Sequence, residues 1–302
     1  MNAYQPIETT YPSLKTQIKG PDIVVAPGCY DAFSAMLVAN AGFKCAYVTG
    51  ASIAYTRLGA PDIGLVSMTE VANVVSLIRE RNDIPMIVDG DTGYGNALNT
   101  RRTVRLFEQS GANAIQLEDQ TFPKRCGHLK GKTVIPTAEM VGKLKAAVDS
   151  RRSDEFLIMA RTDAIAAEGY DAAVERAERY LEAGVDMLFI EAPETDQQQR
   201  DMCKRFKGRA PLLANMVEGG STPLKNTREL QEIGYGIAIF PGGLFRAMSY
   251  AAIRYYEALK RDGITDAVRD RMYDFKEINQ ILGTDNWLAE GAQYDAKNFE
   301  KK

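Results

Sequence analysis

The segment Lys124-Arg-Cys-Gly-His128 joins a thiol to two cations and to the only histidine of this 302-residue chain. So polar a run cannot be a core strand, and a cysteine flanked by Lys124 and His128 is set for chemistry rather than packing. The other cysteines, Cys29, Cys45 and Cys203, form no Cys-x-x-Cys pair with it or with one another. Neither a zinc site nor a disulfide framework is suggested, and these three read as inert packing residues.

A second group of reactive side chains recurs at the ends of short apolar runs. Asp89-Gly-Asp91-Thr-Gly-Tyr-Gly95 follows one run, Glu118-Asp119 a second, Arg161-Thr-Asp163 a third, Glu191 a fourth and Asn215-Met-Val-Glu218 a fifth. Carboxylates gathered in a small volume repel one another unless protons or a cation neutralise them. With oxygen donors and no histidine or cysteine among them, Mg²⁺ or Mn²⁺ is favoured over zinc, held by one or two carboxylates and several waters. Asp89 is expected nearest the ion, with Asp91 and Glu118 acting largely through water. The competing reading is that these acids cap helices. That serves for any one of them but not for a whole set at successive strand ends.

The elements that would bring these groups together alternate regularly. Apolar runs Ile23–Pro27, Cys45–Thr49, Pro85–Asp89, Ala114–Glu118, Phe156–Ala160, Met187–Glu191, Leu212–Asn215 and Gly236–Phe240 are each followed by a helical stretch. In one of these, Thr69 offers an N-cap, and Val71, Val74, Val75 and Ile78 share a face at helical spacing. Continuous apolar strands between amphipathic helices imply a parallel sheet covered on its outside. Eight such units predict an α/β fold, a (β/α)₈ TIM barrel over residues 1–262. Residues 263–302, with Asn286-Trp-Leu, read as a C-terminal helical tail packing on the barrel or on a partner subunit. A barrel carries its chemistry at the C-terminal strand ends, where the acids lie. The long stretch from Thr121 to Pro136, which holds Cys126, would then cover that mouth.

The composition, 45% hydrophobic and 25% charged with a formal net charge of -3, is that of a globular enzyme. It shows no basic footprint for nucleic acid. No apolar run approaches membrane-spanning length, and the N-terminus lacks a basic region leading into an apolar core. A cytoplasmic enzyme acting on a small molecule is expected.

Together, Asp89-Gly-Asp-Thr-Gly-Tyr-Gly95, Leu117-Glu-Asp-Gln120, Lys124-Arg-Cys-Gly-His128 and Asn215-Met-Val-Glu-Gly-Gly-Ser-Thr-Pro-Leu224 resemble the isocitrate lyase and phosphoenolpyruvate mutase superfamily over nearly the whole chain. The cysteine loop resembles its lyase branch. The resemblance implies a Mg²⁺-dependent carbon–carbon lyase acting on a di- or tricarboxylate. Thr49, Gly50 and Ala51, beside Tyr47, would receive the carboxylate of the 2-oxo acid part. Asp62, Asp89, Asp91 and Glu118 would form the metal environment, and Gly127, Arg161, Glu191 and Asn215 would complete the pocket. Glu118 and Arg161 would also serve the chemistry. Cys126 would protonate the departing enolate, with Lys124 and His128 stabilising its charge and tuning the thiol. A homotetramer is also implied, with the last barrel helix exchanged between paired subunits.

Two departures narrow the substrate. Methylisocitrate lyases carry His where this chain has Gln116, and Ser-Gly-Gly where it has Thr49-Gly50-Ala51. The expectation is therefore a 2-alkylmalate such as 2,3-dimethylmalate, cleaved to pyruvate and propionate. The alternative is 2-methylisocitrate, giving pyruvate and succinate. Oxaloacetate acetylhydrolases, which share the cysteine loop, typically have Ser where this chain has Pro241, so acetylhydrolase or phosphonopyruvate-type chemistry is a more distant alternative.

Overall fold

The computed structural model describes residues 10–127, 131–220 and 222–299, so His128 lies outside the described residues. Two compact units divide the chain, one spanning Thr10–Phe245 and the other holding residues 246–299. No helix of the described residues is long and apolar enough to cross a membrane.

In the first unit the strands are β1 (Val24–Cys29), β2 (Ala46–Val48), β3 (Met86–Asp89), β4 (Ala114–Glu118), β5 (Leu157–Thr162), β6 (Met187–Ile190), β7 (Leu213–Asn215) and β8 (Ile237–Phe240). All pair in parallel, in the order β6-β5-β4-β3-β2-β1-β8-β7. A parallel bridge between Leu188 and Leu212 brings β6 against the start of β7, so the sheet closes into the expected barrel. Each strand matches an apolar run of the sequence to within two residues at either end.

Because strand side chains alternate between faces, each strand feeds two cores. Tyr47, Ile87, Ala114, Leu157, Met159, Met187, Phe189, Leu213 and Ile237 fill the barrel interior, joined by Leu14 from the short N-terminal helix Leu14–Ile18. Val48, Val88, Ile115, Leu117, Ile158, Ala160, Leu188 and Ile190 pack outward against the helices. The helix Met68–Arg81 buries Val71, Val74, Val75 and Ile78 as its periodicity predicts. Its cap differs from the expected Thr69. Ser67 accepts from the Glu70 amide while Glu70 bonds back to the Ser67 amide, and that reciprocal box fixes the helix start two residues earlier.

Barrel closure leaves no room at Gly28. A Cβ there would collide with the backbone of Pro241, just beyond β8. Gly28→Ala is accordingly expected to destabilise the protein by about 1–3 kcal/mol, the usual cost of overpacking, seen as a lower urea midpoint. An unchanged midpoint would show that β1 and β8 separate freely.

The second unit is helical in its described residues. Beyond the helix Gly243–Asp262, which runs through the boundary, it contains Phe275–Leu282 and Thr284–Ala292, with no strand among its described residues.

Candidate active site

The alternation that builds the inner core also aims the polar strand ends inward. On β4, Gln116 and Glu118 continue the inward series from Ala114, and on β5, Arg161 follows Leu157 and Met159. Asp119 has the opposite parity. It points into the helix layer, accepting from Thr162 Oγ1 at 2.7 Å and from the Tyr180 hydroxyl at 2.8 Å, beside Arg176. Of the Glu118-Asp119 pair, only Glu118 faces the mouth.

Nor are these acids helix caps. The helices after β3, β6 and β7 are capped by the side chains of Asn96, Thr195 and Asn226, and Asp163 makes no capping hydrogen bond. The strand-end carboxylates are instead buried and turned on one another.

Asp89 Oδ1 accepts from the Asp91 amide at 3.1 Å and from Gln116 Nε2 at 3.3 Å. Gln116 in turn accepts from the Tyr47 hydroxyl at 2.8 Å. Gly50 lies against the other Asp89 oxygen, where an added Cβ would sit 3.2 Å from Oδ2. Asp91 adopts a left-handed backbone (φ 47°), as do Tyr94 (φ 58°) and Ala192 (φ 60°) just past β6. Such conformations are costly for residues with a Cβ, and here they collect around the strand ends. Lys124 Nζ bridges two acids, 2.5 Å from Asp62 Oδ1 and 2.7 Å from Asp91 Oδ1. Burial, opposed by Lys124 but reinforced by Asp89 and Asp62, lifts the Asp91 carboxyl above its ordinary range, to about 7. Burial likewise lifts Glu118, although Arg161 and Lys124 pull it down.

Among the described residues, Lys124 is the cation bonded to Asp62 and Asp91, and it acts on Asp89 and Glu118 as well. Four oxygens at the mouth, Asp91 Oδ1, Glu118 Oε1, Glu191 Oε1 and Asn215 Oδ1, are buried without a hydrogen-bond partner among the described residues, Asp91 Oδ1 having only its ion pair. Buried oxygens of this kind are normally satisfied, so they mark a missing positive ligand or donor. Among the described residues no three His, Cys, Asp or Glu side chains form a ready-made ion cage. A hard ion that keeps most of its waters and takes one or two carboxylates fits such an all-oxygen set.

The opposite side of the mouth is organised by Arg161. Its guanidinium grips Asp163 through Nε (2.9 Å) and Nη2 (3.1 Å), reaches Glu191 Oε2 at 3.2 Å and Glu118 Oε2 at 3.5 Å, and stacks 4.7 Å from the centre of the Phe189 ring. Burial works against its charge, but the carboxylates of Asp163, Glu191 and Glu118 outweigh that and hold it protonated. Asn215 Nδ2 donates to Glu191 Oε2 at 3.0 Å. Burial would raise the Asp163 carboxyl, yet Arg161 and Lys132 hold it at about 2.

The loop after β4 lies over this site. An antiparallel bridge between Gln120 and Val134 closes its neck, and the Gln120 amide clamps the Arg125 backbone, donating to its carbonyl and accepting from its amide, both at 2.9 Å. The Cys126 amide bonds to the Asp62 carbonyl at 3.2 Å. Gly127 rests directly on the pocket, where a side chain would collide with Arg161 Nη2 and lie 2.9 Å from Glu191 Oε2. Cys126 is half-buried and in no disulfide, whereas Cys29, Cys45 and Cys203 are buried. Burial pushes the Cys45 and Cys203 thiols up to about 12 and the Cys29 thiol beyond that, which makes all three inert.

This geometry meets a family whose pattern spans the same barrel, that of phosphoenolpyruvate phosphomutase, matched over residues 14–260. The chain belongs to that family. Two relatives in it are a 2,3-dimethylmalate lyase of Eubacterium barkeri and a 2-methylisocitrate lyase of Aeropyrum pernix. The first is 45% identical over 86% of this chain and 90% of its own. The second is 42% identical over 98% of this chain and 94% of its own. A solved 2,3-dimethylmalate lyase superposes with a TM-score of 0.88 at 33% identity, covering 94% of this chain and 96% of the other. A phosphonopyruvate hydrolase solved with oxalate and Mg²⁺ superposes at 0.84 and 29%, covering 93% and 98%. The substrates named for these family members are small carboxylic acids, and a divalent metal accompanies one of them.

Within this family barrel, the described residues expected at the site, Tyr47, Thr49, Gly50, Ala51, Asp89, Asp91, Glu118, Lys124, Cys126, Gly127, Arg161, Glu191 and Asn215, belong to strand ends, to the turn and helix start after β2 or to the loop after β4, and Asp62 lies in the irregular segment before the helix Met68–Arg81. Sequence reasoning left out Lys132 and did not use Asp163. Asp163 could have been found as the next inward residue after Arg161. Lys132 lies in an irregular segment with no periodicity to betray it.

Proposed function

We propose that the chain is a Mg²⁺-dependent carbon–carbon lyase that cleaves a 2-alkylmalate, with 2,3-dimethylmalate giving pyruvate and propionate. The observation that carries this reading is the seating of Gly127 on Arg161 and Glu191, which holds the neighbouring Cys126 at the mouth of an acid-lined barrel. The family relationship to a 2,3-dimethylmalate lyase supports the substrate class.

Asp89, Asp91 and Glu118, with Asp62 further out, would hold Mg²⁺, which would supply Lewis acidity to stabilise the negative charge that develops as the bond breaks. The helix Gly50–Ile53 begins after Thr49 with no side-chain cap, so its first amides are available to a carboxylate. Arg161 neutralises a second carboxylate and is held rigid by Asp163. Glu118 Oε1, buried and without a hydrogen-bond partner among the described residues, is placed to take the hydroxyl proton as the C2–C3 bond breaks. The electron pair passes to the leaving fragment as an enolate, and the Cys126 thiol delivers a proton to its carbon. Lys124 lowers the cost of the negative charge.

A second reading, 2-methylisocitrate cleaved to pyruvate and succinate, is favoured by the relative from Aeropyrum pernix. Gln116, tied between Tyr47 and Asp89, argues against it, because a neutral amide with both ends engaged supplies no charge for a third carboxylate there. Incubating the protein and Mg²⁺ with 2,3-dimethylmalate, 2-methylisocitrate and oxaloacetate, and assaying pyruvate and acetate separately, decides among them. Pyruvate is expected fastest from dimethylmalate. Release of acetate from oxaloacetate alone would move the chain out of the lyase branch.

The assembly we propose is a cytoplasmic homotetramer that exchanges the helix Gly243–Asp262. Exposed Met248, Tyr250, Ile253 and Tyr256 on that helix support it, being the apolar surface a partner would cover. Sedimentation velocity is expected to show a tetramer, and a monomer would contradict it.

A further inference from the structure

The Lys132 side chain is only 2% exposed, and its ammonium makes two specific contacts. It donates to the Gly127 carbonyl at 2.5 Å and to Asp163 Oδ1 at 2.8 Å. That same Asp163 oxygen accepts from Arg161 Nη2 at 3.1 Å. A single cation thus ties the loop backbone, one residue past Cys126, to the carboxylate that fixes Arg161.

We infer that Lys132 is a positioning residue that pins the Cys126–Gly127 segment onto the Arg161–Asp163 pair. The inference rests on the lyase reading only for its catalytic consequence.

The other anchors do not make this link. The Gln120–Val134 bridge and the Gln120 clamp on Arg125 fix the neck of the loop, and Lys124 and the Cys126 amide tie the segment to Asp62 on the metal side. Nothing but Lys132, among the described contacts, bonds Gly127 to the arginine side. Gly127 has no side chain with which to hold itself there, and its lack of one is what permits the close approach. Removing the ammonium leaves Asp163 still paired with Arg161 through both oxygens, so no buried charge is stranded. The loss therefore falls on the position of the loop rather than on the barrel.

The test is Lys132→Met, with Lys132→Ala as second variant, each checked for fold by circular dichroism and thermal melting. In the absence of substrate, iodoacetamide labelling of Cys126 is followed by peptide mass, the other three cysteines being buried. Both variants are expected to label about tenfold faster or more than wild type, with kcat lowered about tenfold or more. KM should stay within about threefold, because Arg161 is retained. Wild-type labelling rates in the folded variants would overturn the inference, even if turnover fell. So would failure of both variants to fold, which would assign Lys132 to the stability of the barrel. Labelling is read without substrate, so it stands apart from the substrate panel on which the lyase reading depends.

Discussion

Cys126→Ser is expected to lower lyase turnover by ~10²–10⁴-fold, the range over which a positioned general acid acts. A serine hydroxyl is far less acidic than a thiol, so it cannot deliver a proton to an enolate carbon before the fragments recombine. The substitution is nearly isosteric. The Cys126 amide, the Gly127 carbonyl and the Lys124 ammonium, which anchor the loop, are all retained. Thermal stability and Mg²⁺ affinity are therefore expected to match wild type, and KM to change little, which places the loss in the chemical step. By microscopic reversibility the condensation of pyruvate with propionate should fall in proportion. Cys203→Ser provides the contrast, because that thiol is buried away from the mouth and serves only packing. Near-normal turnover in Cys126→Ser would remove the residue from the acid role.

Chelation is expected to abolish activity, with Mg²⁺ or Mn²⁺ restoring it. Among the described residues, Lys124 is the cation bonded to Asp62 and Asp91, while Arg161 reaches Glu118 but is largely committed to Asp163 and Glu191. Without a cation, part of this set must take up protons, as the raised pKa values of Asp91 and Glu118 show. Bound metal should reverse that and release protons, measurable in weakly buffered solution. It should also raise the melting temperature, by an amount equivalent to about 2.7 kcal/mol at a hundred times its dissociation constant. Asp89→Asn is expected to weaken that shift while leaving the barrel folded. Full activity after thorough removal of divalent ions would contradict the assignment of these acids.

The sequence and the structure agree most closely where a residue's role follows from its immediate neighbours. The eight strands were readable because each is a short apolar run with turn residues at its ends, and a parallel strand buried on both faces needs little else. The strand-end acids were readable for the same reason, standing as charges abutting apolar runs. Local chemistry misplaced the start of the helix Met68–Arg81, because Thr69 is an acceptable cap while Ser67 wins through its reciprocal bond with Glu70. Glu118 and Asp119 looked equivalent as neighbours in the chain, and strand parity sends them to opposite faces.

By itself, then, the sequence determined the barrel, the acidic strand ends and the cationic cysteine loop, since each is a local pattern of residue types. Only the tertiary structure decided which acids share Lys124, that Arg161 is locked by Asp163, and that Lys132 fastens Gly127 above it. The Lys124 and Lys132 ion pairs join residues on different elements, with one ammonium reaching Asp62 from 62 positions away and the other reaching Asp163 from 31. Spacing in the chain carries no information about such contacts. They are set by barrel closure, which brings strand ends within hydrogen-bond reach, and by burial, which leaves each charge no partner but another side chain.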